Sequence, residues 1–199
     1  KFCVIHNAVD REKYRYSVQK REEIRGSMGI TDQFVIGHVG NFCYQKNHYF
    51  LLDVFEEVHK KDPNTVLLLA GDGVRFEKVR QIVAEKNLED VVKLLGRRSD
   101  TDYLYQGMDA FLLPSNFEGL PIAGIEAQSA GLPCFMSDEI TKESKITEAC
   151  YFIPLKSGAK YWAEEILDNR MERQSAEFLD NAEQYDLANQ DQELKSLIR

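Results

Sequence analysis

FLLPSNFEGLPIAGIEAQSAGLPCF, residues Phe111 to Phe135, holds the pattern that decides the fold. An apolar run from Ala110 to Leu113 breaks at Pro114 and Ser115, the chain turns at Gly119, and a helix starts with Pro121 at its first position. After Gly131 and Pro133 it re-enters an apolar run, Cys134 to Met136. Strand, loop, helix and parallel strand within about thirty residues make the minimal crossover unit of an α/β sheet.

The same alternation extends outward in both directions. Phe34–Val39, Val66–Ala70, Val91–Leu95 and Asp109–Leu113 read as core strands, with a last short one at Tyr151–Ile153. Helices are expected between them. Ser17 caps one running to about Met28 and stopped by Gly29. Asn47 caps another whose apolar face carries Phe50, Leu51, Val54, Phe55 and Val58. Further helices are predicted over Arg75–Lys86, from a Ser99/Asp102 capping box to Met108, over Ala159–Leu167 and from about Glu172 to Tyr185. The fold class is therefore α/β: a Rossmann-like, open, mainly parallel sheet with helices on both faces.

In such sheets ligands bind outside the carboxyl ends of the strands, where the loop Ser115–Leu120 falls. The first helical turn after it leaves the amides of Ile122, Ala123 and Gly124 without intrahelical partners, an anion site backed by the helix dipole. Glu126 lies farther along the helix, and a carboxylate that accepts two hydrogen bonds suits a vicinal diol such as a ribose. Glu118, eight residues earlier, stands ahead of the helix, where it can hold sugar hydroxyls. Anion, diol and sugar together describe a nucleotide sugar. Glutamates on a helix are more often plain solvated surface. The neighbouring segments favour a site because they bring further polar residues to the same sheet edge.

Composition narrows the class. The 199 residues suffice for one well-cored domain, and 43% hydrophobic with 29% charged residues is ordinary for a soluble globular chain. A net charge of -8 argues against a general nucleic-acid binder. No apolar run approaches the length of a membrane span. Cys3, Cys43, Cys134 and Cys150 form no CxxC pair and read as reduced core residues of a cytosolic protein.

Glu118 and Glu126 in EGLPIAGIE, with EAQSAGLPC after them, resemble the E-x7-E motif of the retaining GT-B glycosyltransferases called family 4 or group 1. HNAVD (His6–Asp10), GNFCYQKNHYFLLDVF (Gly40–Phe55), LLLAGDG (Leu67–Gly73) and the run from Lys93 to Ser115 resemble further motifs of that family in the same order. The resemblance implies a donor-binding set of Gly40, Asn41, Lys46, Gly71, Gly73, Arg97, Glu118, Gly119, Leu120, Ile122, Ala123 and Glu126. Glu118 and Lys46 would be the catalytic members. Family enzymes clamp the donor phosphates with an arginine and a lysine five residues apart; here Asn41 holds the arginine position and Lys46 the other. The turn at Gly71 and Gly73 would lie beside sugar and phosphates, and the backbone at Gly96 and Arg97 against the nucleobase. Phe76 stands where a dinucleotide fingerprint needs its third glycine, so that turn is no Rossmann dinucleotide motif.

The resemblance also implies the organisation. Residues 1–33 would be a domain junction and first helix, 34–156 the core sheet and 157–199 the C-terminal helices of a single nucleotide-sugar-binding domain. The N-terminal acceptor domain of the family would be absent from this chain. The expected reaction is transfer of a sugar from a nucleotide diphosphate sugar to a glycan or lipid-linked acceptor with retention, as in bacterial surface polysaccharide synthesis, with this part alone inactive. The donor would be a UDP-sugar, with a GDP-sugar as the alternative. Neither cofactor nor metal is expected, on the reading that no Asp-x-Asp pair and no His/Asp ligand cluster is present. A cytoplasmic location follows, with peripheral association at the inner membrane face for the full-length enzyme. The rival readings are a nucleotide-sugar epimerase or hydrolase on the same frame, and a non-catalytic nucleotide-binding subunit.

Overall fold

Short apolar runs pair side by side because each alternates residues for two opposite faces, and both faces must be covered. In the structure, a computed structural model that describes residues 7–190, six parallel strands form one sheet. They are β1 (Phe34–Val39), β2 (Thr65–Ala70), β3 (Val92–Gly96), β4 (Ala110–Leu113), β5 (Cys134–Ser137) and β6 (Cys150–Ile153). Their spatial order is β3-β2-β1-β4-β5-β6, the doubly wound arrangement. β1 pairs with β2 from Phe34↔Thr65 to Val39↔Ala70, and with β4 at Ile36↔Ala110 and Gly37↔Phe111.

The helices divide between the two faces. α1 (Arg11–Tyr14), α2 (Val18–Ser27), α5 (Thr101–Gly107) and α6 (Ile122–Ser129) cover the face carrying Val35, Leu68, Phe111 and Met136. α3 (His48–Lys61), α4 (Phe76–Glu85) and α7 (Gly158–Asp168) cover the face carrying Ile36, Leu67, Leu69 and Phe135. Leu67, Leu68 and Leu69 are fully buried in succession. Burying each such side chain contributes roughly 1.5–3 kcal/mol.

Most predicted elements stand within a residue or two of expectation, and Ser17 does cap α2, its Oγ accepting from the Lys20 amide at 3.3 Å. Three details differ. Asn47 precedes α3 in the left-handed conformation (φ 54°) and makes no side-chain cap; its tolerance of positive φ, not its amide, suits it there. No capping box forms at Ser99, because Asp100 is the cap residue of α5 and its carboxylate is held by Arg98.

The helix expected from Glu172 to Tyr185 is present only as a 3-10 turn over Asp180–Tyr185. Arg173 explains the difference. Its buried guanidinium donates to the carbonyls of Tyr105, Met108 and Ala130, at the carboxyl ends of α5 and α6. The Tyr105 carbonyl otherwise receives only the long 3.4 Å bond from the Met108 amide, and the arginine supplies donors to all three carbonyls only where its own segment runs unwound across the helix ends.

Cys43, Cys134 and Cys150 are free thiols, the last two buried on neighbouring strands. Cys3, His6 of the HNAVD segment and the last part of the 157–199 region, residues 191–199, lie outside the described residues. Among the described residues no helix is long and apolar enough to cross a membrane.

Candidate functional site

β1 and β4 lie side by side, yet β1 leads back to β2 on one flank and β4 on to β5 on the other. Their outgoing loops diverge, and a crevice opens between them at the carboxyl edge. A cavity of about 440 Å³ opens at this edge, lined by Gly40, Asn41, Gly71, Gly73 and Arg97, with Val39, Ala70, Asp72, Arg98 and Thr101 in the rest of the wall. Five of the sequence-predicted donor residues therefore share one volume.

Glycine is needed at two of these positions. A Cβ on Gly71 (φ 145°) would lie 1.9 Å from the Gly40 carbonyl oxygen, and one on Gly73 (φ 150°) 2.3 Å from Asn41 Oδ1. The loops after β1 and β2 thus touch backbone to backbone, which sets the depth of the cavity. Gly119 is different: it is exposed, has no positive φ, and a Cβ there would meet nothing within 4 Å. Its turn does not require glycine.

Lys46 and Glu118 lie toward β4, outside the lining of that cavity, and meet each other. Lys46 Nζ donates to Glu118 Oε1 at 2.5 Å, with side-chain exposures of 13% and 11%. Ser115 Oγ donates to the second carboxylate oxygen at 2.9 Å, and Ser137 Oγ donates to the Ser115 carbonyl at 2.5 Å. The Glu118 backbone bridges to Ile140 in the loop after β5. A carboxylate so held is aimed by groups from β1, β4 and β5 together.

Glu126 is committed as well. Its two oxygens accept from the hydroxyls of Tyr14 (2.6 Å) and Tyr105 (2.9 Å). Burial and then the Glu126 carboxylate raise the pKa of both phenols, so both stay protonated donors. Thr101, in the cavity wall, adjoins the Tyr14 hydroxyl. The two predicted glutamates are therefore at separate stations of the edge, each in its own hydrogen-bond cluster.

The anion site is smaller than expected. The Gly124 amide donates to the Pro121 carbonyl at 2.9 Å and closes the first turn of α6, so of the three predicted amides those of Ile122 and Ala123 remain. Ile122, Ala123 and Leu120 are half-buried against the core.

Sequence reasoning passed over several groups. His38 at the end of β1 and His48 at the start of α3 stack edge to face at 4.8 Å beneath the Gly40 loop. His38 Nδ1 donates to the Leu112 carbonyl at 2.8 Å, because a carbonyl can only accept. Burial, then His48, holds the His38 pKa well below the ordinary value; burial, then Lys46 and Arg75, lowers that of His48 to about 4. Ser115, three residues before Glu118, carries a local signal; Tyr14, Tyr105 and the histidines carry none. The sequence also contains an Asp-x-Asp spacing at Asp100 and Asp102 that the metal-free expectation overlooked. Asp100 is bound to Arg98, Asp102 lies 3.5 Å from Lys13, and among the described residues no group of three or more acidic, His or Cys side chains is arranged for a metal.

A family model for the glycosyl transferases group 1 matches residues 20–186. EpsF of Bacillus subtilis, which carries a glycosyltransferase name, is 36% identical over 141 residues, 70% of this chain and 37% of its own. The Escherichia coli UDP-Gal:alpha-D-GlcNAc-diphosphoundecaprenol alpha-1,3-galactosyltransferase is 33% identical over 142 residues, 69% of this chain and 37% of that enzyme. Among solved structures, Anabaena HepE in complex with UDP and glucose superposes with a TM-score of 0.76 at 18% identity, over 98% of this chain and 56% of that one. The matches span little more than a third of the two relatives. The fold is the Rossmann-like half of a GT-B architecture. With the family model covering most of its length, the chain belongs to the group 1 glycosyl transferases.

Proposed function

We propose that this domain binds the nucleotide diphosphate sugar of a retaining, family 4 glycosyltransferase. The observation that carries the reading is the near-buried Lys46–Glu118 pair at the strand switch point, beside a cavity lined by five of the expected donor residues. A lysine ammonium has three N–H groups, so Lys46 can keep Glu118 and still donate to a phosphate oxygen. In the reaction the bond from the anomeric carbon to the diphosphate oxygen breaks, the diphosphate leaves with the electron pair, and an acceptor hydroxyl forms the new bond and loses its proton.

Lys46 and the amides of Ile122 and Ala123 stabilise the departing charge; Glu118 orients the sugar; Glu126, already aimed by two tyrosines, takes the ribose hydroxyls. Gly40, Gly71 and Gly73 allow close backbone approach, and Arg97 flanks the base. No metal or other cofactor has a role in this scheme. UDP is the proposed nucleotide, supported by the UDP bound in HepE and the UDP-galactose in the name of the Escherichia coli relative. The latter name and the resemblance favour a lipid-linked or glycan acceptor in surface polysaccharide synthesis. Transfer is assigned to the domain joined to an acceptor-holding partner domain, as the greater length of the relatives suggests, in a cytoplasmic enzyme peripheral to the membrane.

Calorimetry of the chain with UDP, GDP and ADP tests donor binding. A preference for UDP supports the reading, and no binding of any nucleotide sinks it. Product analysis on the longer protein then decides the reaction: a new glycoside of retained configuration is expected, whereas an epimerised or hydrolysed donor, or binding without turnover, would replace it.

A further inference from the structure

The loops after β1, β2, β3 and β4 carry four cations: Lys46, Arg75, Arg97 and Arg98. Two are already neutralised, Lys46 by Glu118 and Arg98 by the two oxygens of Asp100 at 2.8 and 2.5 Å. Arg97 is exposed and solvated. Arg75 is the unusual one.

Its guanidinium carbon sits over the rings of Tyr44 and Tyr49, 5.1 Å from each centroid. Its backbone amide donates to the Phe42 carbonyl at 2.9 Å, which fastens the loop after β2 to the loop that carries Asn41 and Lys46. The side chain is half-buried, yet among the described residues it has neither a carboxylate partner nor a hydrogen-bond acceptor for any of its five N–H groups. Aromatic faces hold a guanidinium in place without satisfying its N–H edge, and that edge matches two oxygens of a phosphate. Its charge reaches the same ground as that of Lys46, since both suppress protonation of His48.

A diphosphate brings at least two negative charges, whereas Lys46 already shares its one positive charge with Glu118. A second held cation is what the crevice otherwise lacks. We propose that Arg75 is a donor-binding residue that grips the diphosphate from the β2 side, together with Lys46, through its N–H edge. This rests on the nucleotide-sugar reading above.

The test is an NMR titration of the whole chain with UDP and with uridine, for wild type, Arg75→Gln and the double variant Arg75→Gln/Asn41→Arg. Arg75→Gln should weaken UDP about tenfold and leave uridine unchanged, as expected for one lost charge-assisted contact. Asn41→Arg should restore much of the loss, because Asn41 lines the cavity and abuts Gly73 two residues from Arg75. Unchanged UDP affinity overturns the proposal. So does an equal loss for uridine that Asn41→Arg does not repair, which would mark Arg75 as a loop support. If wild type binds UDP and Lys46→Gln weakens it while Arg75→Gln does not, this inference alone fails; if wild type binds no nucleotide, the donor reading fails with it.

Discussion

Lys46 Nζ and Glu118 Oε1 stand 2.5 Å apart across the point where strand order reverses, although seventy-two residues separate them in the chain. The contact ties the loop after β1 to the loop after β4, and Asn116 ties them again by donating from its backbone amide to the Gln45 carbonyl (2.8 Å) and from Nδ2 to that of Tyr44 (2.7 Å). The two loops proposed to flank a donor are thereby set at a fixed separation before any ligand arrives.

Removing one member leaves the other charged, nearly buried and alone. Lys46→Ala should lower stability by about 2 kcal/mol in urea denaturation and weaken UDP at least tenfold. Lys46→Ala combined with Glu118→Gln should recover much of the stability and none of the UDP affinity. Full recovery of both would mean that Lys46 never touches the phosphates.

Glu126→Ala removes the acceptor proposed for the ribose diol and leaves two tyrosine hydroxyls without their partner. UDP affinity should fall about tenfold, and 2′-deoxy-UDP should be penalised less by the same change. Calorimetry with both nucleotides checks this. Equal effects on the two would confine Glu126 to supporting α1 and α5.

Gly71→Ala puts a methyl group 1.9 Å from the Gly40 oxygen at a backbone φ of 145°. The loops after β1 and β2 would have to part, at a cost of roughly 3 kcal/mol. Gly119→Ala, which meets nothing, should change stability by less than about 0.5 kcal/mol. Comparable denaturation midpoints for the two variants would contradict the close approach at Gly71.

His48 gives stability a pH dependence. Its folded pKa of about 4 lies below the unfolded value of about 6.5, so between them the unfolded chain binds more protons. The contribution is therefore complete above about pH 6.5 and is lost as pH falls toward 4, to a total of roughly 3 kcal/mol. His38 acts in the same direction. Urea denaturation from pH 7 to pH 4.5 should show the decline, and His48→Leu should flatten it. A slope that His48→Leu leaves untouched would assign the effect elsewhere.

The glycine at 71 and the arginine at 173 show how differently parts of the chain could be read. Gly71 and Gly73 follow an apolar strand directly, so their place at the carboxyl edge is a local consequence of strand length and turn chemistry. Arg173 shows the opposite case: its neighbourhood reads as helix, and the bonds of its guanidinium to the carbonyls of Tyr105, Met108 and Ala130 hold it unwound. Nothing within ten residues of it announces those partners.

By itself the sequence determined the alternation of strands and helices, the parallel sheet that such alternation requires, and the edge to which Lys46, Glu118 and the glycine turns belong, because hydrophobic periodicity and turn residues act over a few neighbours. The tertiary structure alone decided that Lys46 is paired with Glu118, that Glu126 is held by Tyr14 and Tyr105, and that Arg75 has no carboxylate partner among the described residues. Those outcomes depend on which side chains from distant segments arrive at the same few ångströms, and charge and hydrogen-bond satisfaction are settled there by distance in space rather than along the chain.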